Sequence, residues 1–202
     1  MNRYMTEASV ETMLQNAPVV KEILAEKGVN AVVCINNLKD IRDSHVDTTV
    51  RVAVSLAEKM NLSKEDKQAV ALGSLFHDFG KIMIPEEILN KNGKLNPEER
   101  AIVNTHSRIG YELLKTTGMD SKALSIVRNH HTAASMTNDK LSKIVSVADV
   151  YSALTEKRAY KGTMSSEDAL AIMDSFVMEG KLDGQIVEVL RNSLQEEGKQ
   201  AA

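Results

Sequence analysis

The chain has 202 residues, enough for one sizeable core with at most a small appendage. Its 25 basic and 28 acidic residues nearly balance, which argues against a duplex nucleic-acid binder and against a protein held on anionic membranes. Hydrophobic content of 43%, 26% charged residues, three prolines and no tryptophan suit a mostly helical globular chain. No run approaches the ~18 apolar residues of a membrane span, and no basic stretch leads into an apolar core at the N-terminus, so a cytoplasmic protein is expected. The single cysteine, Cys34, excludes an intrachain disulfide.

Residues 1–28 carry an amphipathic pattern (Val10, Met13, Leu14, Val19, Val20, Ile23, Leu24), interrupted by Pro18 and closed by Gly28. It predicts one or two helices in an N-terminal appendage over residues 1–40. A second apolar run, Ala31 to Ile41, leads to His45, which sits near the start of a helix extending to Met60. Ser63 and Asp66 resemble a capping box, opening a helix that ends at His77-Asp78. After Lys81, Pro85 starts a short helix.

Asn96-Pro97-Glu98-Glu99 is a strong helix start: an Asn cap, Pro at the first helical position, then acids at the positive end. One helix is predicted from here through Leu113, with Ile102, Val103, His106, Ile109, Gly110 and Leu113 on one face. Asp120 caps a helix ending at Asn129-His130-His131. The polar segment Thr132 to Asp139 precedes another helix, whose buried stripe holds Asp149. Ser165 with Asp168 caps a helix to Gly180, and Asp183 caps the last, to about Leu194. Residues 41–195 therefore read as one all-α domain, with a frayed tail over 196–202.

The histidines organise this pattern. His77 and Asp78 stand side by side where an apolar helical run gives way to Gly80, so both can converge on one point at the helix end. A single histidine on an apolar face, as at His106, ordinarily packs with its nitrogens satisfied. An ionised carboxylate in an apolar stripe, as at Asp149, is costly unless paired or bound to metal. All five histidines (His45, His77, His106, His130 and His131), with Asp78 and Asp149, fall at helix ends or on inward faces. Imidazole and carboxylate without thiolate suit iron or manganese, with zinc, nickel or cobalt also allowed. Seven such groups exceed one tetrahedral site and fit a pair of divalent cations bridged by a carboxylate.

Longer motifs surround these ligands: His77-Asp78 with Gly80-Lys81; Ile84-Pro85 and Ile88-Leu89-Asn90-Lys91; Gly93-Lys94-Leu95; and Glu98-Glu99. Beyond them lie His106 with Gly110-Tyr111, His130-His131, and Val147-Ala148-Asp149-Val150-Tyr151-Ser152-Ala153-Leu154-Thr155 followed by Arg158-Ala159-Tyr160-Lys161. Over about residues 40–190 this resembles the HD-GYP subgroup of the HD-domain metal-dependent phosphohydrolases. The resemblance implies an HD-domain helical bundle in which His45, His77, Asp78, His106, His130, His131 and Asp149 hold two metals, with Asp78 bridging. Lys81 would face the phosphate, beside Asp78 in the catalytic machinery, and Arg158 and Lys161 would clamp substrate phosphates.

The implied activity is a bacterial signalling phosphodiesterase that opens a cyclic dinucleotide, cyclic di-GMP foremost, through a metal-bridging hydroxide. The alternatives are a phosphohydrolase of the HD superfamily acting on another nucleotide or phosphate ester, and a non-catalytic signalling domain that binds a nucleotide or a protein. A homodimer would form through the N-terminal helices. Two departures accompany the resemblance. Where some members hold a third metal through a glutamate one turn before the first histidine, this chain has Ile41, so two metals are expected. After His131 the family carries a glutamate and a longer loop with a Gly-Tyr-Pro signature, where this chain has only Thr132 to Asp139. The shorter segment should leave the pocket more open.

Overall fold

A computed structural model describes residues 44–115, 119–156 and 164–200. The N-terminal appendage, Arg158 and Lys161 lie outside these described residues. The described elements are helical throughout, with no strand among them. In chain order they are α1 (Ser44–Lys59), α2 (Lys64–Phe76), a 3-10 turn (Phe79–Met83), α3 (Glu86–Leu89), α4 (Pro97–Val103), α5 (His106–Leu114) and α6 (Ser121–Asn129). A second 3-10 turn (Ala134–Met136), α7 (Lys140–Thr155), α8 (Ser166–Met178) and α9 (Gly184–Gln200) complete them.

α2 is the axis of the bundle. Every residue from Ala69 to Phe76 is buried, as expected of a helix enclosed on all sides rather than on one stripe. It packs against α1, α6 and α7, and α7 in turn touches α1, α6, α8 and α9. Phe76, Leu56, Leu72, Ile126, Ile144, Met173 and Ile186 fill the interior between these helices. Gly73 makes the α2–α6 approach possible, because a Cβ there would stand 2.6 Å from Ile126.

Helix starts follow the local chemistry of the sequence. The Ser63 hydroxyl accepts from the Asp66 amide at 3.1 Å. Asn96 and Glu99 form a reciprocal capping box with Pro97 at the first turn, and Asp120 accepts from the Lys122 and Ala123 amides. Ser165 caps α8 through the Asp168 amide, and Asp183 accepts from the Gln185 and Ile186 amides at α9. Each bond satisfies an amide that a helix start otherwise leaves unpaired. The turn after α1 is closed by Asn61 at φ 52°, a left-handed position that asparagine tolerates.

Two expectations are corrected. The helix predicted from Pro97 through Leu113 is broken into α4 and α5 between Val103 and His106. His106 therefore opens a helix instead of lying mid-stripe. The rotation that follows leaves Ile102 and Leu113 about 40% exposed, while His106, Ser107, Gly110 and Leu114 turn inward. The last helix also runs past Leu194 to Gln200. No described helix is long and apolar enough to cross a membrane.

Candidate metal centre

Three of the histidines sit just past the end of a helix, and that placement fixes their chemistry. Helix C-termini leave carbonyls without an amide partner. His77 Nδ1 lies 2.7 Å from the Ser74 carbonyl at the end of α2. His106 Nδ1 lies 2.7 Å from the Val103 carbonyl at the end of α4. His130 Nδ1 lies 3.0 Å from the Val127 carbonyl at the end of α6. A carbonyl can only accept, so each Nδ1 carries the proton and each ring turns Nε2 inward. Anchoring one ring nitrogen in this way orients the other as a ligand. The break between α4 and α5 thus serves the site, since it frees the Val103 carbonyl that orients His106.

The inward atoms converge in two groups. His45, His77 and Asp149 form one triad, and His106, His130 and His131 the other, with donor atoms of each group within 4.8 Å of one another. Asp149 Oδ1 lies 2.9 Å from His45 Nε2 and 3.7 Å from His77 Nε2. Asp78 stands between the groups: Oδ2 is 3.3 Å from His77 Nε2, and Oδ1 is 3.2 Å from His106 Nε2. Lys81 Nζ binds Asp78 Oδ2 at 2.6 Å from the more open side. His131, half-exposed, lies at the rim with Nδ1 3.9 Å from Asp149 Oδ2.

This donor set fits cations better than it fits its own hydrogen bonds. His77 Nε2 is fully buried without a hydrogen-bond partner of good geometry. His106 Nε2 and His130 Nε2 face each other at 3.4 Å. With its Nδ1 proton committed to the Val127 carbonyl, the neutral His130 ring has no proton to place between them. Donor atoms about 3 Å apart are the spacing found around one shared cation. The electrostatics agree. Burial favours neutral His77, but the Asp78 and Asp149 carboxylates outweigh it and push the ring up to about 10. Burial also works against both carboxylates, yet the histidines around them hold each well below the usual range. His130, buried next to His131, is driven well below an ordinary imidazole and stays a neutral donor. The pocket thus holds two carboxylates ionised against burial, the signature of a site built for positive charge.

A glycine and several hydroxyls bring these candidate ligands together, through contacts that sequence spacing does not reveal. A Cβ on Gly80 would fall 2.0 Å from the His106 carbonyl oxygen and 2.5 Å from the Gly110 amide nitrogen. Only glycine lets the turn carrying Asp78 lie on the first turn of α5. Ser152, one turn after Asp149, donates to the His45 carbonyl at 2.9 Å, and Thr49 donates to the same oxygen at 2.8 Å. Ser152 thereby ties α7 to the start of α1. Its signal in the sequence is a hydroxyl on the stripe of Asp149, where a buried polar group must find a partner. Ser107 Oγ also reaches the cluster, 3.3 Å from His106 Nε2.

A helical bundle presenting an adjacent His-Asp pair to clustered histidines is the pattern of the HD domain, which this chain matches over residues 31–186. The chain belongs to the HD-domain family. This HD domain is similar, at 31% identity, to a 3′3′-cGAMP-specific phosphodiesterase of Vibrio cholerae, over 95% of this chain and 49% of that protein. It is 36% identical to the cyclic di-GMP phosphodiesterase response regulator RpfG of Xanthomonas campestris, over 69% of this chain and 40% of the relative. A cyclic di-GMP phosphodiesterase of Thermotoga maritima is 28% identical, over 81% of this chain and 51% of its own length. The chain thus spans about half the length of the curated relatives it matches, or less. Among solved structures, the HD domain of the L. monocytogenes phosphodiesterase PgpH shares the fold, with a TM-score of 0.59 at 18% identity, covering 91% of this chain and 98% of that one. The His/Asp clusters suit the metal dependence of HD-domain phosphohydrolases.

Proposed function

We propose that this HD domain is a metal-dependent phosphodiesterase that hydrolyses a cyclic dinucleotide, cyclic di-GMP or 3′3′-cGAMP, to a linear product. The observation that carries this reading is the pair of inward triads with Asp78 between them. In it His45, His77 and Asp149 would hold one divalent cation and His106, His130 and His131 the other, with the Asp78 carboxylate placed between the two groups. Iron or manganese suits the nitrogen and oxygen donors best. Bound there, the cations would lower the pKa of a water molecule and neutralise charge on the phosphate.

The remaining chemistry belongs to the chain's own groups. Lys81 Nζ sits at the mouth with its side chain 30% exposed and one bond to Asp78. Its other donors can meet a phosphate oxygen and offset charge as the ester bond breaks. Arg158 and Lys161, which lie outside the described residues, would hold the substrate's phosphates, guanidinium being suited to bidentate contact. The choice of substrate is supported by the relatives, which are named for activity on cyclic di-GMP and 3′3′-cGAMP.

The test is turnover on protein purified without oxygen and supplied with iron or manganese. Conversion of cyclic di-GMP or 3′3′-cGAMP to a linear dinucleotide or mononucleotides supports the reading. No product from either compound by metal-loaded protein overturns the substrate class. A second reading, action on another phosphate ester, is favoured by the short segment Thr132 to Asp139, which offers little to frame a large cyclic substrate. It would be supported by hydrolysis of simple phosphodiesters with both cyclic dinucleotides left intact.

A further inference from the structure

The segment between the His130-His131 pair and α7 is held at its far end by one carboxylate. Asp139 Oδ1 accepts from the Leu141 and Ser142 amides at 3.2 Å each, which caps α7. Its second oxygen does something a cap does not require. Oδ2 accepts from Ser142 Oγ at 2.7 Å and from Ser125 Oγ at 2.8 Å, the latter on α6. Ser125 Oγ also receives the Asn129 side-chain amide at 3.1 Å, one residue before His130. Within the segment, the Asp139 amide donates to Thr137 Oγ1 at 3.1 Å. Ala134 and Ser135 donate their amides to the Lys181 and Gly180 carbonyls on the α8–α9 turn.

We propose that Asp139 is a positioning residue for the metal centre: its carboxylate joins α6 to α7 and thereby fixes His130 and His131 relative to Asp149. This role rests on the two-cation reading of the site. His130 and His131 follow the last residue of α6, where a helix end frays most readily. Ligands must be held within about 0.5 Å of their working geometry, so the backbone that carries them has to be anchored on both sides. On one side the α6 core residues Ile126 and Val127 supply packing. On the other, the Asn129–Ser125–Asp139–Ser142 chain supplies hydrogen bonds. Partial burial works against the Asp139 carboxylate, but its hydroxyl and amide donors hold it below the usual range, so it remains a full acceptor.

The experiment is manganese titration of the whole chain by calorimetry, with thermal melting in parallel, for the wild type, Asp139→Ala and Ser125→Ala. Ser125→Ala leaves the α7 cap intact and removes the hydroxyl that joins Asp139 to Asn129, so it keeps the fold if Asp139→Ala does not. The expected result is two manganese ions in the wild type and about a tenfold weaker second ion in Ser125→Ala, the scale of loss when a ligand's supporting partner is removed. Asp139→Ala should lose at least as much. Unchanged affinity for both ions in folded Ser125→Ala protein, with or without a lower melting temperature, would reduce Asp139 to a helix cap and overturn the proposal while the two-cation reading stands. A wild type that takes up no manganese would overturn both.

Discussion

At the scale of single residues, Asp78 is the group on which the proposed two-cation site depends. Its side chain contacts both triads, through Oδ2 to His77 and Oδ1 to His106. Asp78→Ala should therefore abolish turnover and reduce bound metal below two per chain, measured by elemental analysis. Full activity with full metal content would rule out the bridging role. Lys81 has a different place in the proposal, because its ammonium donates to Asp78 from the more exposed side. Lys81→Ala should keep the metal and lower kcat by about 10²–10³-fold, the usual loss when one preorganised charge-stabilising donor is removed. Loss of metal instead would make Lys81 a support for Asp78. The seven candidate ligands were legible in the sequence because an inward carboxylate or a cluster of inward histidines demands a charged partner or a metal. Asp139 was not legible as part of the site, since a capping aspartate is ordinary until its partner is known, and Ser152 was legible only as a buried hydroxyl whose partner spacing does not name. Ser152 finds its partner in the His45 carbonyl, on a helix remote in sequence.

At the scale of elements, the caps were readable and the junctions were not. Asn96 with Glu99, Asp120, and Ser165 with Asp168 act within three residues of themselves, so spacing alone reveals them. The break after Val103 has no proline or glycine to announce it. It arises from packing, where Gly80 lies on the backbone of His106 and Gly110. Gly80→Ala should force this contact apart, lower stability by about 1–3 kcal/mol as overpacking does, and weaken metal binding with it. A variant that melts and binds metal like the wild type would show that the turn can shift without cost. Asp139 gives a pH-dependent test of the α6–α7 junction. Its folded pKa lies below the ordinary aspartate value of 3.8, so its stabilisation is complete above that value and is lost as pH falls through the folded pKa. The wild type should exceed Asp139→Ala in stability near neutral pH, by about 1–2 kcal/mol for a lost cap, and the two should converge in strong acid. A constant difference across that range would mean that the carboxylate's charge is irrelevant.

At the scale of the whole molecule, the candidate ligands come from α1, the end of α2, the start of α5, the end of α6 and α7. A cation pair would therefore cross-link most of the bundle, and it would bind the folded chain in preference to the unfolded one. Metal at about 100 times its dissociation constant adds roughly 2.7 kcal/mol. At about 2–4 °C per kcal/mol for a domain of this size, chelation should lower the melting temperature by about 5–10 °C. An unchanged melting temperature after verified metal removal would separate the site from the fold's stability.

The measurement that bears most directly on the bridged pair is electron paramagnetic resonance of the manganese-loaded protein. Two ions sharing the Asp78 carboxylate should give about two equivalents per chain and an exchange-coupled spectrum, with Asp78→Ala losing the coupling. One equivalent, or two ions with independent spectra in the wild type, would contradict it.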